Sequence, residues 1–221
     1  MTTSTNLCPL TGVILAGGQS RRMGGRPKAL LPFGGEPIIR RQIAEMRKCC
    51  ADVIVVTALE EVRDAVREAE GLEAAERIMI VADRYPDSGP LSGIHAAALA
   101  PAAGQYLWVV ACDMPHISSA AALALLGCLT GPSPAHAAAV PYVQGQLHPL
   151  HAVYERSQVL HAAEQLLAQG RLRLQGLLEQ LPWRQADEAW LAAQGLDLRF
   201  VDNLNTPEEY ESALSQHNSG G

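Results

Sequence analysis

Four cations, Arg21, Arg22, Arg26 and Lys28, sit around paired glycines in the stretch Thr11 to Lys28, TGVILAGGQSRRMGGRPK. The stretch opens with Val13, Ile14 and Leu15, a short apolar run that predicts a buried first strand. Gly17 and Gly18 follow, and without a Cβ their backbone N–H groups can come close to a ligand. Close backbone with clustered cations is what a polyphosphate needs. Lys28 adds a mobile point charge able to follow phosphate oxygens through a transfer step. The common phosphate patterns do not fit. A P-loop needs glycine, lysine and then Ser/Thr, but Lys28 follows Pro27 and precedes Ala29. The fingerprint G-x-G-x-x-G cannot be placed because Gly17 and Gly18 are adjacent. A bare glycine pair would be read as an ordinary βα turn with solvated arginines. The whole run from Leu15 to Lys28 is more specific than that.

Two aspartates could complete such a site. Asp113 follows the apolar run Tyr106 to Ala111 (YLWVVA) within Cys112-Asp113-Met114-Pro115. Pro115 pins the turn, so the carboxylate faces the end of the expected sheet. A carboxylate there can hold Mg2+ against triphosphate oxygens, because Mg2+ takes few protein ligands and borrows the rest from phosphate and water. A capping or turn aspartate is the alternative. Asp83, just beyond the predicted strand Ile78 to Ala82, has the same two readings. Asp87 competes with it from a YPDSG turn.

Leu15-Ala16-Gly17-Gly18, Arg22-Met23-Gly24 and Lys28, followed by Leu31 and the Gly35-Glu36-Pro37 turn, resemble the nucleotidyltransferase signature of the molybdenum cofactor guanylyltransferases. The resemblance implies transfer of GMP from GTP to the terminal phosphate of molybdopterin, with Mg2+ as cofactor and pyrophosphate released. It implies that Leu15, Ala16, Gly17, Gly18, Lys28, Asp83 and Asp113 bind GTP. Asp113 is the implied metal ligand, and Lys28, Arg22 and Asp113 are the implied catalytic set. The segment His148 to Tyr154 resembles the family's pterin-side motif. Gly170-Arg171-Leu172-Arg173 and Asn203-Leu204-Asn205-Thr206-Pro207 recur in the family too. His148, Arg171, Arg173, Asn203 and Asn205 are therefore the implied acceptor-binding residues. Implied partners are GTP, molybdopterin, other cofactor-assembly proteins and acceptor molybdoenzymes. Similar cytidylyltransferases usually carry alanine where Gly17 stands, which favours GTP. The rivals are CMP transfer to the same pterin, a sugar-phosphate nucleotidyltransferase, and a silent nucleotide-binding or adaptor protein.

The residues that must position these groups alternate between two periods. Asp52 to Thr57, Ile78 to Ala82 and Tyr106 to Ala111 read as further strands. Between them, helices are expected from Pro37, over Glu60 to Glu70, from Gly89 to about Ala100, and from Ser118 or Ser119 with a stripe of Leu123, Leu126 and Leu129. Later strands are expected at Ala137 to Val143, Leu150 to Tyr154, Trp183 to Ala186 and Arg199 to Val201. Helices are expected around Val159 to Leu167, over Leu172 to Leu181 and from Pro207. This order predicts an α/β fold with a mostly parallel sheet and helices on both faces, and the resemblance implies the Rossmann-like, three-layer form of a glycosyltransferase-A-like nucleotidyltransferase. Ligands of such sheets bind at the carboxyl ends of the strands, where residues 16–28, Asp83 and Asp113 all fall.

Composition narrows the function classes. With 221 residues the chain suits one α/β domain or two small ones, and the resemblance implies a single nucleotidyltransferase domain over 1–221, nucleotide-binding in the first half and acceptor-binding in the second. Residues 1–10 and 217–221 are expected to be loose ends. A net charge of −6 gives no global basic field for nucleic acid, so attraction for anions must be local. Five cysteines without zinc spacing suit reduced thiols in a cytoplasmic protein. The apolar runs are too short to cross a membrane. His148 and His151, three apart on an expected strand, would point to opposite faces and could not share a metal there.

Overall fold

The computed structural model describes residues 9–17, 26–68, 77–83, 85, 88–131 and 135–219. From the N-terminal side, β1 (Leu10–Leu15) is followed by a 3-10 turn (Lys28–Leu30), a small hairpin of β2 (Pro32–Phe33) and β3 (Glu36–Pro37), and α1 (Ile38–Met46). Next come β4 (Asp52–Val56), α2 (Glu60–Glu68), β5 (Ile78–Val81), α3 (Gly89–Leu99), β6 (Tyr106–Ala111) and α4 (Ser119–Gly127). The second half supplies β7 (Ala138–Val143), β8 (Gln146–Leu147), β9 (Ala152–Glu155), α5 (Arg156–Ala168), α6 (Leu174–Gln180), β10 (Trp183–Asp187) and α7 (Glu188–Ala193). A 3-10 turn (Leu198–Val201) and α8 (Pro207–Ser219) close the chain's described part.

One sheet runs in the order β10-β7-β9-β6-β1-β4-β5, with β8 hydrogen-bonded to β7. β1 pairs in parallel with both β4 and β6, and β4 in parallel with β5. β9 lies antiparallel between β6 and β7. The expected architecture, mostly parallel with helices on both faces, is the one observed. The reason is visible in the residues of the central strands, which are apolar on both sides. Ile14, Val53, Val55, Trp108 and Val110 bury one face against Ile39, Ile43 and Met46 of α1 and Leu125 of α4. Val13, Ile54, Leu107 and Val109 bury the other against Ile94 of α3, Val159 and Leu166 of α5 and Leu177 of α6. Gly12 lets α1 approach closely, since a Cβ there would collide with Met46 Sδ.

A third cluster positions the site. Leu31, Phe33 and Ile38, around the hairpin, pack on Leu204, and Tyr210, Ala213 and Leu214 of α8 pack against them. Tyr210 also donates its hydroxyl proton to the Pro32 carbonyl. The end of the described chain is thereby brought to the segment carrying Lys28.

Several local expectations are corrected. Leu123 is 46% exposed, and α4 buries Ala121, Ala122, Leu125 and Leu126 instead. That helix is built from Ala and Leu with no polar face, so leucine spacing alone did not select the buried side. Residues 199–201, expected as a strand, belong to the 3-10 turn, whose first N–H groups include that of Arg199 bonded to Asp197 Oδ1 at 3.0 Å. α6 starts at Leu174, leaving Arg173 as its cap. Of the ends expected loose at 1–10 and 217–221, Leu10 already belongs to β1 and α8 continues to Ser219, while residues 1–8, 220 and 221 lie outside the described residues. β9 begins at Ala152, which leaves His148 and His151 before the strand. The opposite-face geometry expected of those two histidines therefore does not apply. Among the described residues, no helix is long and apolar enough to cross a membrane.

Candidate active site

The carboxyl ends of β1, β4, β5 and β6 open into one cleft of about 740 Å3. Leu15 and Gly17 line it from β1, Thr57 from β4, Asp83 from β5, Asp113 from β6 and Gly93 from α3. The strand ends stay joined beyond the sheet proper. Ala16 N–H donates to Val56 O at 2.8 Å, Thr57 Oγ1 donates to Ala16 O at 3.0 Å, and Cys112 N–H donates to Leu15 O at 3.1 Å. The glycine loop therefore departs from a fixed point. At Gly93, in the wall formed by α3, a Cβ would stand 3.0 Å from Leu15 Cδ2, so a larger residue would make that side chain give by a few tenths of an ångström.

Lys28 lines this cleft. Its Nζ donates to Asp113 Oδ2 at 2.8 Å and to Asn205 Oδ1 at 2.8 Å. The Lys28 and Asp113 side chains are only 18% and 17% exposed, so the pair is shielded from much solvent screening. Leu204 N–H donates to Asp113 O at 2.9 Å, so the same C-terminal segment holds both partners. Asp113 Oδ1 is buried and has no hydrogen-bond partner among the described residues. A buried carboxylate oxygen left unpaired is costly, and a hard cation is the ligand its chemistry suits. The residues present thus fit a Mg2+ ion that takes the rest of its shell from phosphate and water.

The neighbouring Cys112 is not poised as a nucleophile. Burial, reinforced by the Asp113 charge, pushes the Cys112 thiol up to about 12, which keeps it protonated. On the opposite wall Asp83 is oriented by two donors. Tyr85 N–H reaches its Oδ1 at 2.8 Å, and Ser92 Oγ donates to the same oxygen. These bonds orient the Asp83 carboxylate where it lines the cleft.

Of the residues singled out from the sequence, Leu15, Gly17, Lys28, Asp83 and Asp113 line the one cleft. Ala16 is buried beside it, with its carbonyl bonded to Thr57. Gly18, Arg22 and Asp87 lie outside the described residues. Asn205 joins the site through Lys28, and Asn203 is exposed two residues earlier. His148, Arg171 and Arg173 do not line the cleft. The His148 ring stands 3.3 Å from the Val143 carbonyl, and Arg171 donates to Glu179 at 2.9 Å. Thr57 and Ala58 line the cleft without having been singled out. The signal that finds them is the same one that found Asp83 and Asp113, namely position at the carboxyl end of a central strand.

Residues 12–187 match the family described as the MobA-like NTP transferase domain. The chain belongs to that family. A molybdenum cofactor guanylyltransferase of Desulfosudis oleivorans is 32% identical over 211 residues, which is 96% of this chain and 97% of that protein. A probable molybdenum cofactor guanylyltransferase of Pelotomaculum thermopropionicum is 36% identical over 204 residues, covering 92% and 91%. Among solved structures, the molybdopterin-guanine dinucleotide biosynthesis protein A of Archaeoglobus fulgidus superposes with a TM-score of 0.74 at 23% identity. That match covers 95% of this chain and 99% of the other. At that identity the likeness concerns the fold.

Proposed function

We infer that this protein transfers GMP from GTP to the terminal phosphate of molybdopterin and releases pyrophosphate. The observation that carries the reading is the Lys28 ammonium set between Asp113 and Asn205 in the lining of the strand-end cleft. Membership of a family of NTP transferases supports it, as do relatives named for this activity that match almost the whole chain. No covalent enzyme intermediate is required, since the nucleophile is already an anionic phosphate. The contribution of the chain is alignment and charge neutralisation.

In this reading Leu15, Ala16, Gly17 and Gly18 wrap the nucleotide with backbone, and Asp83 receives donors from the base or ribose. Lys28 and Arg22 hold the triphosphate, with Lys28 exchanging Asp113 for phosphate oxygens as the substrate enters. Asp113 would hold Mg2+, which would supply neutralisation of phosphate charge. Asn205 stays at the junction with the acceptor, and Asn203, His148, Arg171 and Arg173 form the acceptor side. The first half of the chain thus serves the nucleotide and the second half the pterin within a single cytoplasmic domain. Its partners would be other cofactor-assembly proteins and acceptor molybdoenzymes.

The test is pyrophosphate release from GTP, CTP and ATP in turn, each with and without molybdopterin and Mg2+. Release from GTP that requires both is the expected result, with the higher kcat/KM for GTP. If CTP matches or beats GTP, the guanylyl assignment gives way to cytidylyl transfer. If no nucleotide is turned over with the pterin, the reading fails, and sugar phosphates tried as acceptors then separate a sugar-phosphate nucleotidyltransferase from a silent nucleotide-binding protein.

A further inference from the structure

The loop between β6 and α4 carries Asp113, and two buried polar side chains grip it from elements that do not line the cleft. The first is Gln42 on α1. Its neighbours on the buried face are Ile38, Ile39, Ile43 and Met46, so an apolar residue would suit the position. Gln42 is instead fully buried, and its Nε2 donates to Ala111 O at 2.8 Å and to Met114 O at 2.9 Å. One amide nitrogen thus clips the two carbonyls that bracket Cys112 and Asp113. Its Oε1 has no partner among the described residues, which is a cost with no return at that oxygen. The donor end is what the position uses.

The second is His151, immediately before β9. It is fully buried, and its backbone sits at φ 129°, a region that a residue with a Cβ rarely adopts. Such a conformation persists where the surroundings over-determine it. The ring lies 5.3 Å from that of Trp108 and 4.6 Å from that of Phe200. Its Nε2 accepts the Ser118 N–H at 3.2 Å, which places the ring proton on Nδ1. Ser118 is the cap of α4, so this bond fixes the far end of the Asp113 loop. Phe200, on the other side of the ring, leads into the segment that bonds Asp113 O through Leu204 and Lys28 through Asn205.

We propose that Gln42 and His151 are positioning residues, which aim the Asp113 carboxylate by holding both ends of its loop. The proposal rests on the role given to Asp113 above. Neither side chain lines the cleft. Both act through peptide groups, so their loss changes where Asp113 stands more than how much nucleotide binds. Small misplacements of a reacting group cost large factors in rate.

Three variants of the full chain test this: Gln42→Met, which keeps length without a donor, His151→Phe, which keeps a ring without an acceptor, and His151→Gln, which restores an acceptor. Each is measured for kcat and KM with GTP, for Tm, and for amide exchange of residues 112–118 in metal-free protein. The expected result for Gln42→Met and His151→Phe is kcat lower by about tenfold or more, KM within about threefold, and faster exchange in the loop. His151→Gln should recover most of the lost kcat. If both apolar variants keep kcat within about twofold of the parent, or if His151→Gln is as slow as His151→Phe, the side chains serve packing alone and the proposal is overturned. Should Gln42→Met fail to fold, Gln42→Asn is too short to span both carbonyls and carries the same kcat criterion. Asp113→Asn is run alongside. Normal turnover in that variant removes the assigned role of Asp113. Slow Asp113→Asn with fast Gln42 and His151 variants removes only the present inference.

Discussion

Lys28 and Asp113 neutralise each other at 2.8 Å, and the proposed function gives Lys28 a phosphate and Asp113 a cation to hold in addition. Asp113→Asn keeps the shape of the side chain but removes the charge a hard cation needs. Its expected effect is an intact fold with kcat lowered about a hundredfold or more, the scale of one lost transition-state contact. Near-normal turnover with Mg2+ would show that the carboxylate is a turn residue. Lys28→Ala removes a phosphate contact and leaves Asp113 Oδ2 without its counter-ion. Binding of GTP should weaken far more than binding of guanosine, which has no triphosphate, as titration with each ligand would show. Equal weakening of both would mean that Lys28 supports the loop and does not grip phosphate. Both residues were legible in the sequence because each stands at the end of an apolar strand or in a cationic turn. Asn205 was reached only through resemblance, since it lies 177 residues from Lys28 and no spacing rule joins them.

At the scale of elements, the strand ends act as a unit, and Thr57 is the residue that ties two of them. Its hydroxyl donates to Ala16 O and accepts the Leu59 N–H at 3.1 Å, while the side chain is 1% exposed. Thr57→Val has the same shape and neither bond. A lost hydrogen bond is worth about 1 kcal/mol, so KM for GTP should rise roughly fivefold through a loosened glycine loop, with kcat less affected. An unchanged KM would detach Thr57 from the nucleotide. The central strands were readable because burial on both faces demands continuous apolar runs such as YLWVVA. What stayed hidden was set by contacts distant in sequence. The face of α4 was undetermined among equally apolar residues, and residues 198–201 became a 3-10 turn under packing of Phe200 on His151. Gln42 gave no sign at all, since a glutamine on a helix with arginines reads as solvent-facing until the loop behind it is seen.

For the molecule as a whole, stability must depend on pH through the histidine at its centre. Burial holds His151 down to about 3, against 6.5 for a free ring. A backbone hydrogen bond and the charge of Glu45 act upwards, and His148 acts downwards with burial. Between those two values the unfolded chain carries a proton that the folded one refuses. The contribution of the neutral ring is therefore fully present above 6.5 and is lost progressively as the pH falls towards 3. One proton gives a slope of about 1.4 kcal/mol per pH unit. His151→Phe lacks this dependence. Its deficit against the parent, which includes the orphaned Ser118 N–H, should be largest near neutrality and shrink by about 2 kcal/mol between pH ~6.5 and ~5. The other histidines and the carboxylates titrate alike in both proteins and cancel in the difference, provided the two sites are independent. Urea unfolding of parent and variant across that range measures it directly. A deficit that stays constant would mean that the ring already accepts a proton in the folded state, and so that water reaches the site between Trp108 and Phe200.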